Sequence, residues 1–259
     1  MKNALLVVSF GTSFADTREK TIGALEKTLA AAFPDRAFYR AWTSGFIRRK
    51  LLKTTGETID SVEDALDRMA ADGVTDVLVQ PTHMLPGEEF ELVRKALEAG
   101  KGRFASLRLG APLLSTPADT ELLARAIEEI FASVKDSEML CLMGHGSENL
   151  EPNVYEDLDL LFRAREKENF CVGTVEFQPG FEPVLERIRQ RKPERVVLSP
   201  LMVVAGDHAN NDMAGEEPDS WRSQVEAAGY PTECVLRGMG EYENIRTLYV
   251  AHAREASLL

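Results

Sequence analysis

Short apolar, β-rich runs alternate along this chain with longer amphipathic stretches. Such alternation is typical of parallel sheets, because each parallel crossover needs a long connection and helices then cover both faces of the strands. The predicted strands are 4–10, 37–42, 76–80, 106–109, 139–143, 171–176, 195–199 and 232–236. The predicted helices are 16–33, 61–72, 89–99, 118–134, 181–190, 220–228 and 243–256. The sequence therefore predicts an α/β fold in which parallel sheets are flanked by helices.

The second half of the chain resembles the first half in its order of strands and turn residues. ALLVVSFGTSF near the start resembles EMLCLMGHGSE at 138–148, and VLVQPTHMLPGEEF resembles VVLSPLMVVAGDHA. In the second pair, Pro81 matches Pro200 and Gly87 matches Gly206, each at an offset of 119 positions. We predict two similar α/β domains, 1–135 and 136–259, that face each other across a cleft. The last helix, 243–256, can pack on either half.

Composition excludes several classes of protein. The formal net charge of −12 argues against nucleic-acid binding, which depends on clustered Lys and Arg. No run approaches the roughly 18 apolar residues of a membrane span, and the short apolar N-terminus runs into a Gly-Thr-Ser turn, as a first strand does. Cysteine is scarce and lacks CxxC spacing, so Cys141 and Cys171 are predicted core residues. These features predict a cytoplasmic protein.

Nucleotide and nucleophile motifs are absent from the sequence. There is no GxxxxGK[ST] loop, and Gly144-x-Gly146 lacks the third glycine of a dinucleotide fingerprint. There is also no GxSxG nucleophile elbow. We therefore predict that the protein uses no nucleotide cofactor, and a metal-dependent hydrolase is a remote alternative.

Two of the four histidines follow predicted apolar strands within glycine-containing turns. His145 lies in the segment MGHGS, and His208 lies in AGDHANND. In open α/β sheets, ligands bind beyond the carboxyl ends of the strands. The constant offset of 119 also places Glu89 opposite His208, so corresponding loops of the two halves carry a side chain able to bind metal. We predict a role in the chemistry for His145, His208 and Glu89.

Glu176 is predicted to end a buried strand, where a carboxylate is costly unless it is paired or bound to a metal. Two histidines and one carboxylate suit borderline divalent ions such as Co²⁺, Ni²⁺, Fe²⁺ or Zn²⁺. We therefore predict a metal site that contains His145 and His208. Glu176 is either its third ligand or a residue bonded to backbone amides, and the residues alone leave both roles open.

Further side chains near the predicted strand ends can line the cleft. Met84, Leu85 and Met202 would supply an apolar, adaptable wall. His83 can either line the cleft or pack in the core. The most basic run, 46–53, is either a solvated helix face or a surface that binds carboxylates of an anionic substrate.

The segments SFGTSF, HMLPGEEF, GHGSE, GTVEFQPG and LMVVAGDHANNDMAG, in this order along nearly the whole chain, resemble the anaerobic sirohydrochlorin cobaltochelatases of the CbiK type. The resemblance implies two Rossmann-like domains with a tetrapyrrole in the cleft, and a lyase that inserts Co²⁺ without ATP in cobalamin biosynthesis. It implies His145 and His208 as metal-binding histidines, Glu176 as a metal-coordinating glutamate and Glu89 as an active-site glutamate. Ser13, in the first of these segments, joins the predicted tetrapyrrole-binding residues.

The resemblance leaves several choices open. A sister enzyme that inserts iron or nickel into a related tetrapyrrole would use the same residues, and a non-catalytic tetrapyrrole or metal carrier would bind without turnover. The residue that accepts the pyrrole protons, either a histidine or Glu89, is also open. So is the formation of a homo-oligomer.

Overall fold

The computed structural model describes residues 2–148 and 153–259. Its strands are β1 Asn3–Ser9, β2 Ala37–Trp42, β3 Asp76–Pro81, β4 Ser106–Leu109, β5 Met139–Gly144, β6 Phe170–Thr174, β7 Val196–Pro200, β8 Thr232–Cys234 and β9 Ser257–Leu258. Its α-helices are α1 Ala15–Arg18, α2 Ala24–Ala32, α3 Gly45–Thr55, α4 Val62–Ala71, α5 Glu88–Gly100, α6 Pro117–Ile130, α7 Val154–Ala164, α8 Phe181–Arg191, α9 Trp221–Ala227 and α10 Glu243–Arg254. Glu19–Gly23 and Ala209–Met213 are π-helical turns, and Lys101–Arg103 and Met239–Glu241 are 3₁₀ turns.

The strands form two sheets with the same strand order. The first sheet has the order β2-β1-β3-β4-β9, in which β1 to β4 are parallel and β9 is antiparallel to β4. The second sheet has the order β6-β5-β7-β8 and is entirely parallel. The parallel strands of each sheet can be counted from 1 to 4 in chain order. Counted in this way, they lie side by side in the order 2-1-3-4 in both sheets. The predicted α/β class, with parallel sheets and flanking helices, is confirmed.

The first sheet is covered by helices on both faces. Leu6 and Val8 of β1 pack with residues of α4 and α5, such as Leu66. Alternate β1 residues Leu5 and Val7 pack with α2 and α10. Successive side chains of a strand point to opposite faces, so residues 4–8 of β1 are all apolar rather than alternating.

The second sheet has a similar arrangement. Cys141 and Met143 of β5 pack with α8 and α9 in one apolar cluster, which also contains Cys171. Against the other side, α7 contacts β6, and α6 packs on α7. The prediction that Cys141 and Cys171 are core residues is confirmed, since both are fully buried.

The described chain separates into two compact units, and their boundary differs from the predicted one at 135/136. The first unit holds the described residues up to Ser115 together with Glu243–Leu259, and the second unit is Thr116–Tyr242. Helix α6 belongs to the second unit because it packs on α7. Helix α10 belongs to the first unit because it contacts α2 and β3. In the described residues, no helix combines the length and apolar character needed to cross a membrane.

Candidate metal centre

Three neighbouring strands of the second sheet carry the predicted metal ligands at their carboxyl ends. His145 directly follows β5, Glu176 lies two residues after β6, and His208 follows β7 at the start of the helical turn Ala209–Met213. Because β6, β5 and β7 are adjacent and parallel, their carboxyl ends share one edge of the sheet. The backbone bonding of β5 to β6 continues past the strands, since the Glu176 amide donates to the His145 carbonyl at 3.1 Å.

The three side chains converge. His145 Nε2 lies 3.6 Å from Glu176 Oε2, and His208 Nε2 lies 3.8 Å from Glu176 Oε1. The two imidazole rings meet edge to face, with their centroids 5.0 Å apart. One ligand atom from each residue lies within 4.8 Å of the other two, so a single ion can be coordinated by all three.

Hydrogen bonds orient both rings toward the centre. His208 Nδ1 lies 2.8 Å from Asp212 Oδ2, and His145 Nδ1 lies 3.0 Å from the Gly146 carbonyl oxygen. Each oxygen can only accept, so Nδ1 of each neutral ring carries the proton and Nε2 keeps its lone pair. A carboxylate bonded to a ligating histidine in this way fixes the ring and raises its basicity as a ligand.

Asp212 was not among the predicted site residues. It lies four residues after His208, across the π-helical turn Ala209–Met213. The spacing of four between a histidine and an aspartate was visible in the sequence. It is typical of side chains that meet on one helical face, and it could have identified the pair.

The donor set suits an ion that must be released. Two imidazoles and a carboxylate bind borderline divalent ions and leave a coordination position open, whereas thiolates hold soft metals tightly. No cysteine belongs to this cluster. Because Glu176 lies beyond the end of β6 with 44% of its side chain exposed, the expectation that it ends a buried strand is wrong. Its closeness to the two imidazoles, rather than burial, makes Glu176 a candidate ligand.

Glycine is required on both sides of His145. Gly146 has a φ of +92°, and a Cβ there would lie 3.0 Å from Phe177. At Gly144, a Cβ would lie 2.3 Å from the ring of Tyr155 in α7. These contacts hold the histidine at the sheet edge, because the turn cannot shift without displacing its neighbours.

The remaining predicted residues lie in both units. Met202 is half-buried against the apolar cluster of the second sheet. In the first unit, Ser13 accepts a hydrogen bond from Lys50, and Met84 Sδ lies 3.9 Å from the Tyr249 hydroxyl. Leu85 is half-buried in the loop after β3. The structure thus brings His145, Glu176 and His208 together and assigns Ser13, Met84 and Leu85 to the other unit.

Two half-buried side chains of the first unit have buried polar atoms that lack a hydrogen-bond partner among the described residues. Glu89 lies in the first turn of α5, and its Oε2 atom has no hydrogen-bond partner among the residues described. Both ring nitrogens of His83 are likewise buried and unpartnered. Burial lowers the pKa of His83 to about 4, so the ring is neutral at neutral pH. Orphaned buried polar atoms of this kind call for a functional explanation.

Comparison with known proteins identifies the family. The profile of the cobalt chelatase (CbiK) family matches residues 3–258. The chain belongs to the CbiK cobalt chelatase family. The resemblance seen in the sequence motifs is therefore confirmed.

Relatives of this CbiK family member match it over nearly their full length. It is 42% identical over 256 residues to the sirohydrochlorin cobaltochelatase of Salmonella typhimurium, covering 99% of this chain and 97% of that one. It is 34% identical over 259 residues to the sirohydrochlorin cobaltochelatase CbiKC of Nitratidesulfovibrio vulgaris, covering 98% and 90%. The solved structure of SirB from Bacillus subtilis with Fe³⁺ has a TM-score of 0.63 at 14% identity, covering 98% and 95%, and so supports the fold.

Proposed function

We propose that this protein is a sirohydrochlorin cobaltochelatase, which inserts Co²⁺ into sirohydrochlorin without a nucleotide in anaerobic cobalamin biosynthesis, in the cytoplasm. The observation that carries the proposal is the cluster of His145, Glu176 and His208, whose donor atoms lie within 4.8 Å of one another. Relatives at 42% and 34% identity bear the name of this activity. Cobalt itself rests on the family, since the donor set also accepts Ni²⁺, Fe²⁺ and Zn²⁺.

The three side chains hold the substrate ion before insertion. In this proposal, Nε2 of His145 and Nε2 of His208 bind Co²⁺, and Glu176 completes the protein's share of the coordination. Asp212 keeps the His208 ring in the tautomer that binds metal. The open positions on the ion admit the pyrrole nitrogens, which then replace the protein ligands one after another.

Insertion also releases two pyrrole protons, which need an acceptor. Glu89 is our proposed acceptor because its Oε2 atom is buried and makes no hydrogen bond within the described part of the chain. A carboxylate with an unused lone pair can take a proton at little structural cost. Either histidine becomes a second acceptor once it has released the metal.

A matrix of insertion assays tests the proposed function. Co²⁺, Ni²⁺, Fe²⁺ and Zn²⁺ are each offered with sirohydrochlorin and with protoporphyrin, and metallation is followed by absorption over many turnovers. We expect the highest kcat/KM for Co²⁺ with sirohydrochlorin. Preference for another ion would identify a sister chelatase, and stoichiometric binding without turnover would identify a carrier.

A further inference from the structure

The positively charged side chains in the first turns of α3 lie in a segment of the sequence that contains no carboxylates. Residues 37–56 contain no Asp or Glu, although the whole chain has a net charge of −12. Many arginines elsewhere are paired, such as Arg36 with Asp76 and Arg187 with Asp159. In contrast, neither Arg49 nor Lys50 has a carboxylate partner within 2–148 and 153–259. An unpaired cationic surface on an acidic protein favours an anionic ligand.

These cations lie beside the loop that follows β1. The Ser44 amide donates to the Phe10 carbonyl at 3.1 Å, which joins the loop to the start of α3. The Lys50 ammonium donates to the Ser13 hydroxyl at 3.1 Å. One bond of the ammonium's three is thus used for positioning, and two donors remain for a ligand.

Glycine at position 45 makes room for the second cation. A Cβ there would lie 3.1 Å from Arg49 Nη1, so the guanidinium rests on the backbone of the first turn of α3. A guanidinium held in one orientation presents a planar pair of donors, which matches a carboxylate in a bidentate manner.

Three phenylalanines are exposed on the same loop and helix start. Phe10, Phe14 and Phe46 are exposed to 47%, 40% and 68%. Exposed aromatic side chains that cluster on one surface mark a binding site more often than scattered ones do. Their flat rings suit contact with the face of a large conjugated macrocycle.

We infer that this surface, formed by Phe10, Phe14, Phe46, Arg49 and Lys50, binds the tetrapyrrole, with the two cations pairing with its peripheral carboxylates and the aromatic rings contacting its apolar plane. The inference rests on the proposed function. A single-stranded nucleic acid would also use stacking and cations, but the net charge of −12 opposes a long polyanion.

Binding of metal-free sirohydrochlorin tests the inference separately from turnover. Fluorescence titration gives the Kd of the wild type, of the double variant Arg49→Gln/Lys50→Gln and of Lys2→Gln. Lys2 precedes β1, at the opposite end of that strand, so Lys2→Gln is a control for loss of positive charge away from this surface. We expect the double variant to raise Kd about tenfold, as two partly exposed charge-assisted pairs would. Lys2→Gln should bind like the wild type.

The dependence of Kd on ionic strength is a second readout. A purely structural role of Arg49 and Lys50 would not change it. Raising salt from about 0.05 M to about 0.5 M screens exposed pairs, so the wild-type Kd should rise more steeply than that of the double variant. The single variant Phe46→Ser, at a largely exposed position, should weaken binding several-fold without loss of the salt dependence.

The outcomes separate the two proposals. Equal Kd values and equal salt slopes for wild type and double variant would overturn the inference, even if the wild type inserts Co²⁺. Weaker binding by the double variant would support it, even if no metal is inserted. Failure of the wild type to bind sirohydrochlorin would overturn both.

Discussion

The loops after the first two strands of each sheet have the same backbone connections. In the first unit, the Thr43 and Ser44 amides donate to the carbonyls of Ser9 and Phe10. In the second unit, Val175 and Glu176 donate in the same way to the carbonyls of Gly144 and His145, at 3.0 and 3.1 Å against 2.9 and 3.1 Å in the first unit. Phe10 therefore corresponds to His145, and Ser44 corresponds to Glu176.

The third strands repeat the correspondence. The Thr82 amide donates to the Val8 carbonyl in the first unit, and the Leu201 amide donates to the Met143 carbonyl in the second, both at 2.8 Å. Thr82 and Leu201 are 119 residues apart, which is the offset that pairs Glu89 with His208.

The two units thus share a backbone frame and differ in what it presents. Where the second unit carries His145, Glu176 and His208, the first carries Phe10, Ser44 and Glu89. The Ser44 hydroxyl caps α3 by accepting a hydrogen bond from the Ile47 amide. The difference shows that strand order and loop register fix where a side chain projects, whereas the side chains alone decide which unit carries a candidate metal cluster.

Replacing one ligand gives the largest expected effect. His145→Ala should lower Co²⁺ affinity and insertion by more than about 100-fold, since loss of even an outer-sphere partner costs 10–100-fold. Isothermal titration with Co²⁺ and the insertion assay measure both quantities. Phe10→Ala, at the corresponding position, should leave Co²⁺ affinity unchanged. Equal loss of Co²⁺ affinity in the two variants would contradict the assignment of metal binding to the second unit.

A buried histidine makes the first unit sensitive to acid. The pKa of His83 is lowered to about 4, whereas an unfolded histidine titrates near 6.5. Below pH 6.5, the unfolded state therefore binds a proton that the folded state does not, and the free energy of unfolding falls as pH drops from about 6.5 to about 4. The loss should reach about 3 kcal/mol at pH 4.

The matched variant for this prediction is His83→Met, which installs the residue found at the corresponding position 202. Denaturant titrations between pH 4 and 7 should show a shallower fall in stability for the variant, by the equivalent of one proton. Parallel pH profiles for wild type and variant would refute the buried neutral state of His83.

Loss of the carboxylate behind His208 should have a smaller effect than loss of a ligand. Asp212→Asn keeps the size of the side chain but weakens its hold on Nδ1, so Co²⁺ affinity should fall about 10–100-fold. Asp207→Asn removes the same charge from the same loop without touching a ring and serves as the control. Equal affinities for the two variants would show that Asp212 does not orient His208.

Corresponding glycines provide the smallest contrast. Gly11 and Gly146 both have a positive φ, so alanine is strained at either position. At Gly11, the new Cβ would lie 2.6 Å from the ring of the fully buried Trp42, whereas at Gly146 the nearest atoms would be Cβ and the backbone nitrogen of Phe177 at 3.0 Å, which is a smaller overlap. Gly11→Ala should therefore destabilise by about 1 kcal/mol more than Gly146→Ala. Thermal melting compares the two variants, and the reverse order would contradict the packing argument.

Most helices and strands could be predicted from the sequence, because apolar runs and turn residues are local signals. The predicted strands 37–42 and 106–109 match β2 and β4. Helix α7 was not predicted although its signal is present: Asn153 caps it, and Tyr155, Leu158 and Phe162 form a buried stripe. Strand β9 was also missed, because two residues at the end of the chain carry no periodicity.

Features that depend on contacts between distant parts of the chain could not be predicted from the sequence. Helix α6 joins the second unit through its contact with α7, and nothing in its own pattern specifies that partner. Glu176 is exposed because β6 ends at Thr174. The sequence does not show this boundary, because the apolar residue Val175 continues the apolar run of the strand. The two histidines, in contrast, could be predicted from their place after strands, because adjacent parallel strands bring such positions to one edge. Glu176 was predicted as their third ligand from the resemblance to the family.

A crystal soaked in Co²⁺ without tetrapyrrole, studied by anomalous diffraction at the cobalt edge, shows whether the three side chains bind the substrate ion. We expect one strong peak about 2.0–2.2 Å from Nε2 of His145, Nε2 of His208 and a carboxylate oxygen of Glu176. A peak at Glu89 or His83, with the cluster of the second unit empty, would contradict this assignment.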